Sequence, residues 1–323
     1  MIIWIIDEEW KNYDIEIKEI KENFPNVEIK ISNYDFKDDL ESFGYKADAI
    51  LAQIYADLTE EVILKLEKCK VISVYGGGYD RVDVKTATKK GIKVTNVQKY
   101  CAEDVSDYVI SALYFINKKI GYYNSIVREN LKNGIWDITK TVNLEHRLNN
   151  QTLLIIGVGD IGSIVAKKAN LIGMKVLGYD EFKTKEELDK INVKKVDWET
   201  GLKEADFISL NLKGADENIN KIKYEDFKLM KNTAYLINTS RGKIIKESDM
   251  VKAVKEKLIK GAILDVVTKE PPTGDEEVFK QENIFITPHM SYITEESLAS
   301  LQYKTVHNAL SVLKGEQPEN PVN

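Results

Sequence analysis

Three side chains in the last third of this chain are of the right types for acid–base chemistry on a small acid: Arg241, Glu270 and His289. Arginine is rare here, standing only at 81, 128, 147 and 241, while lysine meets most of the need for positive charge. Arg241 lies in NTSRG, just after the apolar run Tyr235–Asn238. Its guanidinium can grip a carboxylate through two parallel hydrogen bonds, which lysine cannot do. His289, in TPHMS, follows the run Ile284–Thr287 and suits proton transfer near neutral pH. Glu270, in LDVVTKEPP, stands five residues after Asp265. Bonded to an imidazole, its carboxylate would fix the tautomer and favour the protonated ring. Each also has a plainer reading alone: a structural ion pair, a capped histidine, a surface charge. Together they follow successive apolar runs, and that shared placement makes them a constellation. His146 and His307, on a loop and a helix, read as structural.

Such residues need a scaffold, and its most informative stretch runs from Gln151 to Asp180. Leu153–Ile156 reads as a strand buried on both faces. Gly157, Gly159 and Gly162 follow in the pattern G-x-G-x-x-G. They would supply a tight turn, a close backbone approach to a pyrophosphate, and close packing of the next helix. Apolar residues at helical spacing over Ser163–Ile172 predict that Gly162 opens a helix whose free N–H groups suit a phosphate. A second strand, Lys175–Tyr179, leads to Asp180, whose carboxylate could accept from both ribose hydroxyls and repel a 2′-phosphate. Three glycines alone could be an ordinary turn. Strand, glycines, helix, strand and acid in this order make a dinucleotide site, selective for NAD over NADP, with Glu181 adding to the repulsion.

Around this stretch, apolar runs alternate with helical patterns, which predicts parallel, doubly wound sheets. Strands are expected at Met1–Ile6, Val27–Ile31, Ala47–Gln53, Val71–Tyr75 and Ile92–Asn96, with a helix at Leu58–Leu66. This first part has no G-x-G-x-x-G and ends its fourth strand in Gly76, Gly77 and Gly78. A long helix from Ala102 to about Lys118 crosses into a second domain, and Asn124–Val142 reads as a loop. Further strands at Lys194–Val196, Phe207–Leu212, Tyr235–Asn238, Ala262–Asp265 and Ile284–Thr287 complete a nucleotide domain of six or seven strands. The helix Glu295–Leu313 has no domain of its own and should return to the first part. The fold class is thus α/β with two doubly wound domains. Residues 1–101 and 292–323 form a discontinuous substrate domain, 102–291 the nucleotide domain, with a cleft expected between them.

Composition narrows the function. The chain has 323 residues and a net charge of −6, so it presents no basic surface for nucleic acid. No apolar run reaches the ~20 residues of a membrane span. The opening MIIWIIDEEW reads as a buried strand, and two cysteines without metal spacing suit a reducing cytoplasm.

YGGGYDRVD, GVGDIG with Asp180, INTSRG, GAILDVVTKEPP and ITPHMS, in this order, resemble the D-isomer-specific 2-hydroxyacid dehydrogenase family over essentially the whole chain. The resemblance implies two Rossmann-like domains, a homodimer through the nucleotide domain, and NADH reducing a 2-keto acid reversibly to the D-2-hydroxy acid. It implies His289 as acid/base, Glu270 as its partner and Arg241 on the substrate's carboxylate and carbonyl. Asp160, Ile161, Leu212, Asn218, Thr239, Ser240 and Asp265 would lie near the cofactor. The N–H groups of Gly77 and Gly78 would meet the substrate carboxylate. LAQIYADLTEE, NVQKYCAEDVSD and ADENINKI are most similar to the branch containing the C-terminal binding proteins, some known chiefly as NAD-binding partners of other proteins. Two departures stand out. Asn211-Leu212-Lys213 stands where the family often has a His-x-Pro, which would loosen the adenine pocket. Gly76-Gly77-Gly78 stands where the family usually has G-V-G, which would make that loop more mobile.

Two functions follow: a keto-acid reductase, or a dinucleotide-sensing interaction protein with little turnover. The intact Arg241, Glu270 and His289 favour the enzyme, since a sensor needs no acid–base pair. Substrate size would be set by Gln53, Tyr55, Tyr75, Tyr100 and Tyr292, although the tyrosines at 75, 100 and 292 also suit core packing. No second basic residue adjoins Gly76–Gly78, which disfavours a phosphorylated substrate.

Overall fold

The structure is a computed structural model that describes residues 1–136 and 145–323. The chain divides into two compact units, Met1–Cys101 with Ile293–Asn323, and Ala102–Tyr292. The first is built on five parallel strands: β1 (Ile2–Ile6), β2 (Glu28–Ser32), β3 (Ala49–Gln53), β4 (Val71–Tyr75) and β5 (Lys93–Thr95). Their order is β2-β1-β3-β4-β5, which reverses direction between β1 and β3. The helix Glu295–Leu313 packs on β3, β4 and the helix Asp14–Asn23. Ser73 ties it to the sheet by donating to the carbonyl of Thr305 at 2.8 Å.

The second unit carries seven parallel strands: β6 (Thr152–Ile156), β7 (Lys175–Tyr179), β8 (Lys194–Lys195), β9 (Phe207–Leu210), β10 (Tyr235–Asn238), β11 (Gly261–Leu264) and β12 (Ile284–Ile286). Their order is β12-β11-β10-β9-β6-β7-β8, reversing between β6 and β9. The apolar run in β6 is continuous because it serves two cores. Leu153 and Ile155 enter one and Leu154 and Ile156 the other, with helices covering both faces.

Several boundaries depart from the sequence reading. Asn124–Val142 was expected to be a loop, yet Ile120–Leu131 is a helix. It buries none of its residues, so the periodic burial signal that betrays a packed helix is weak there. Residues 137–142 of that expected loop lie outside the described residues. Gly162 does not open its helix: the helix is Asp160–Leu171, with Gly159 at its N-cap. Short helices at Lys37–Ser42, Val84–Lys89, Lys185–Asp189, Trp198–Glu204 and Tyr224–Leu229 are too brief to show a stripe in sequence. Among the described residues, no helix is long and apolar enough to cross a membrane.

Candidate active site

All strands of the second unit are parallel, so the segments leaving their carboxyl ends lie along one edge of the sheet. Read along that edge from β12 to β7, these segments bring His289, then Asp265 and Glu270, then Thr239 to Arg241, then Asn211 and Leu212, then Gly157, then Asp180. Strands sit ~4.8 Å apart, so the three steps from β7 to β10 cover roughly 14 Å. The residues expected from sequence to hold a dinucleotide straddle the reversal between β6 and β9.

The three glycines divide their work. Gly157 has φ of 87°, and a Cβ there would lie 2.7 Å from the carbonyl oxygen of Asn211. At Gly162 a Cβ would lie 2.2 Å from the carbonyl oxygen of Gly157, so the helix can approach the turn only without one. Gly159 differs: nothing lies within 4 Å of its Cβ position. That open space stands at the N-cap of a twelve-residue helix whose first N–H groups have no intrahelical partner. A helix start of this kind suits an anionic group. Asp160 is exposed in the first turn, while Ile161 is half-buried against the core.

Asp180 has a second role that the spacing did not disclose. Its Oδ2 accepts from Val158 N–H at 2.8 Å, and Oδ1 accepts from Phe182 N–H at 2.9 Å and Lys183 N–H at 3.1 Å. The carboxylate therefore pins the glycine turn to the end of β7. Of the about four acceptor positions a carboxylate offers, three are occupied, leaving room for one ribose hydroxyl more readily than for two.

The segment after β9 closes around the turn. Leu212 packs on the core, its Cδ2 3.2 Å from the Cβ position of Gly157. Asn211 donates to Ser209 through Nδ2, while its buried Oδ1 has no partner among the described residues. Asn218 closes the loop by donating to the Lys213 carbonyl at 3.0 Å. Thr239 is half-buried. Ser240 is buried, its hydroxyl donating to the Leu210 carbonyl at 2.9 Å, so it joins β9 to β10 instead of presenting that hydroxyl to a ligand.

At the other end of the edge, His289 Nδ1 lies 3.0 Å from Glu270 Oε2, with side-chain exposures of 11% and 17%. The other Glu270 oxygen, Oε1, accepts from Val267 N–H at 3.0 Å, so both oxygens are fixed. Arg241 is half-buried. Its Nη1 donates to the Ser240 carbonyl at 2.9 Å, and its own carbonyl accepts from Asn238 Nδ2 at 3.0 Å. A Cβ on Gly214 would lie 2.8 Å from Arg241 Cγ, so the arginine stem runs across that glycine. The Tyr292 ring meets the His289 ring edge-on, centroids 6.1 Å apart. Asp265 has partners that its spacing did not disclose. It is 0% exposed, and its carboxylate accepts from Thr287 Oγ1, Met290 N–H and Ser291 N–H, so it holds the loop of His289. Thr287 and Tyr108, whose oxygens lie 2.6 Å apart, complete this network. Sequence reasoning missed both: Thr287 is visible only as the neighbour of PH, and Tyr108 only as one more aromatic on a helix.

The remaining expected residues belong to the first unit. Gly77 and Gly78 follow β4 with Gly77 exposed. Their loop is more tethered than its three glycines suggest, since Val97 N–H donates to the Gly76 carbonyl and Asn96 Nδ2 to that of Gly77. Gln53, expected to size the substrate pocket, is 2% exposed, its amide engaged by Glu9 and Ile54 N–H. Tyr75 is a core residue whose hydroxyl donates to Glu16 at 3.0 Å. Tyr100 is half-buried.

Comparison with known proteins places these observations. Residues 78–291 match the model of the D-isomer specific 2-hydroxyacid dehydrogenase NAD binding domain. The chain is 35% identical over 283 residues to glyoxylate reductase of Thermococcus litoralis, covering 86% of this chain and 84% of that one. Among solved structures it is similar to D-lactate dehydrogenase of Aquifex aeolicus complexed with NAD and lactic acid (TM-score 0.86, 27% identity, 99% and 98% of the two chains). D-lactate dehydrogenase of Lactobacillus jensenii with NAD+ is a further match (TM-score 0.76, 26% identity, both chains fully covered).

Proposed function

Because the chain belongs to the D-isomer-specific 2-hydroxyacid dehydrogenase family, and is an NAD-dependent oxidoreductase, we propose that it interconverts a small 2-keto acid and the D-2-hydroxy acid with His289 as acid/base. The observation that carries this reading is the bond of 3.0 Å between His289 Nδ1 and a Glu270 carboxylate that is itself fixed by Val267 N–H. Glu270 holds Nδ1, so proton exchange with the substrate oxygen falls to Nε2. An ionised Glu270 also stabilises the imidazolium needed to protonate a carbonyl oxygen during reduction. Arg241 takes the substrate carboxylate and polarises the carbonyl.

The residues present fit the cofactor. The open position at Gly159 and the helix start at Asp160 and Ile161 would hold the pyrophosphate, and Asp180 the adenosine ribose. Leu212, Asn218 and Thr239 would border it. Bound NADH would supply the hydride. The relatives' names make glyoxylate and pyruvate the first substrates to try.

The test is NADH oxidation with glyoxylate, pyruvate, hydroxypyruvate and branched 2-keto acids. Turnover of at least one is expected, falling by about 10²–10⁴-fold in His289→Gln. Near-native turnover in His289→Gln would overturn the acid/base assignment.

The same reading includes a homodimer through the second unit. Ile120 and Trp136 are 72% and 77% exposed, and Tyr122 and Leu131 are exposed beside them. An apolar surface of this kind is what a partner copy covers. Light scattering should give twice the monomer mass, and Ile120→Lys with Trp136→Glu should return it to one.

A further inference from the structure

The loop that carries His289 is held by more than Glu270. His289 has φ of 52°, a left-handed conformation that a non-glycine residue keeps only where its surroundings fix it. Three successive amides do so here. His289 N–H donates to the Asp265 carbonyl at 2.8 Å, Met290 N–H to Asp265 Oδ1 at 2.9 Å, and Ser291 N–H to Oδ2 at 2.9 Å. The loop is thus wrapped around one buried carboxylate.

That carboxylate is held in turn. The Thr287 hydroxyl donates to Asp265 Oδ1 at 2.6 Å and lies 2.6 Å from the Tyr108 hydroxyl. A threonine hydroxyl has one proton, and here it goes to Asp265, so Tyr108 must be the donor to Thr287. Burial pushes the Tyr108 phenol up to about 12, which keeps it a donor throughout the neutral range. The helix Ala102–Lys118 otherwise turns Val105, Val109, Ala112, Leu113 and Ile116 inward. A phenylalanine at 108 would add to that apolar face, and a half-buried hydroxyl is retained only where it has a partner.

We propose that Tyr108 and Thr287 are positioning residues for the proton transfer: a donor chain from Tyr108 through Thr287 to Asp265 that holds loop 287–291, and with it the His289 imidazole. Neither touches substrate; both act through Asp265. The inference rests on His289 as acid/base. It adds that the histidine's geometry is set from a helix residue 179 positions before Thr287 of the TPHMS motif. Small misplacements of a reacting group are costly, so a single neutral hydrogen bond has a measurable effect on turnover.

The experiment compares Tyr108→Phe, Thr287→Val, the double variant and Thr287→Ser with the native enzyme. In the protein without cofactor, Tyr108→Phe should speed amide hydrogen exchange at Met290 and Ser291 about two- to tenfold. With NADH and keto acid it should lower kcat by a similar factor while leaving the KM for NADH unchanged. Thr287→Val should do more, the double variant no more than Thr287→Val alone, and Thr287→Ser should restore both readouts. Native exchange and native kcat in Tyr108→Phe would overturn the proposal, as would additive losses in the double variant or a lowered Tm with both readouts native. His289→Gln, assayed alongside, separates the premises. Retained turnover there sinks the acid/base reading itself, whereas abolished turnover with a native Tyr108→Phe sinks only the donor chain.

Discussion

The two sheets of this protein share an architecture and use their reversal points in opposite ways. Between β6 and β9 the turn is glycine, the helix start is open, and the position of a Gly159 Cβ has no neighbour within 4 Å. Between β1 and β3 the corresponding place is filled by the chain itself. The Asp7 carboxylate, at the end of β1, accepts from Glu9 N–H at 3.0 Å, Trp10 N–H at 3.2 Å and the Tyr13 hydroxyl at 3.2 Å. Backbone N–H groups that could greet a phosphate in one unit are satisfied by an internal anion in the other. A doubly wound sheet therefore offers a binding edge only where the sequence leaves it empty, and three glycines are how this sequence does so.

The comparison can be broken most severely at Gly162. A Cβ there would meet backbone at 2.2 Å, so Gly162→Ala should destabilise the second unit by about 3 kcal/mol or more, read as a lower midpoint in denaturant. An unchanged midpoint would mean the helix can stand off from the turn. Asp180→Ala comes next. It removes the proposed ribose contact and the tether to Val158, and should weaken NADH by about 1–3 kcal/mol while narrowing the preference over NADPH. Asp180→Asn separates the two, since an amide oxygen can keep one tether but not the charge. Wild-type use of NADPH equal to that of NADH would refute the ribose assignment. Gly159→Val sharpens the contrast with Gly162. It has space, so the denaturation midpoint should stay within about 0.5 kcal/mol of native, while NADH affinity falls roughly tenfold, about 1.4 kcal/mol. Equal affinity would show that no phosphate sits there.

The smallest effect belongs to the closed edge. Glu16 is wholly buried, with Tyr75 and Gln302 as hydrogen-bond donors, and desolvation by that burial raises it above the ordinary carboxylate range. Across the window above 4.5 the folded state then holds more of this proton than the unfolded chain. Stability thus declines as pH rises through that window and stays reduced above it. Glu16→Gln should raise stability near pH 8 by on the order of 1 kcal/mol and flatten the slope between pH 4.5 and 8, measured by urea unfolding. A slope as steep as native would assign the pH dependence to other groups, with Asp7, raised by the same cause, the first to try.

What the sequence disclosed follows the same division. The open edge was legible because its devices are local: glycines at fixed spacing, an acid at the next strand end, and three chemically distinctive residues after consecutive strands. Asp265 was legible as a residue but not as a role, because its partners at 287, 290 and 291 come together only through strand pairing. Gln53 and Tyr75 were drawn toward the substrate because polar and aromatic residues at strand ends suit a pocket. Burial beside Glu9 and Glu16 turned them inward, and no periodicity reports that. The helix Ile120–Leu131 escaped for the complementary reason: with no residue buried, it leaves no stripe to read.

The helix at Glu295–Leu313 has a consequence for biosynthesis. The second unit is continuous from Ala102 to Tyr292, so all seven of its strands leave the ribosome before that helix does. The first unit emerges earlier yet lacks the layer that covers β3 and β4, including the Thr305 carbonyl that Ser73 bonds and the Gln302 amide that Glu16 requires. For the time needed to make about 190 residues, some ten seconds or more at 5–20 residues per second, that face of the sheet stays open. The inserted unit is thus expected to complete its sheet before the first unit is sealed. Chaperone capture of nascent chains should therefore map to the first hundred residues.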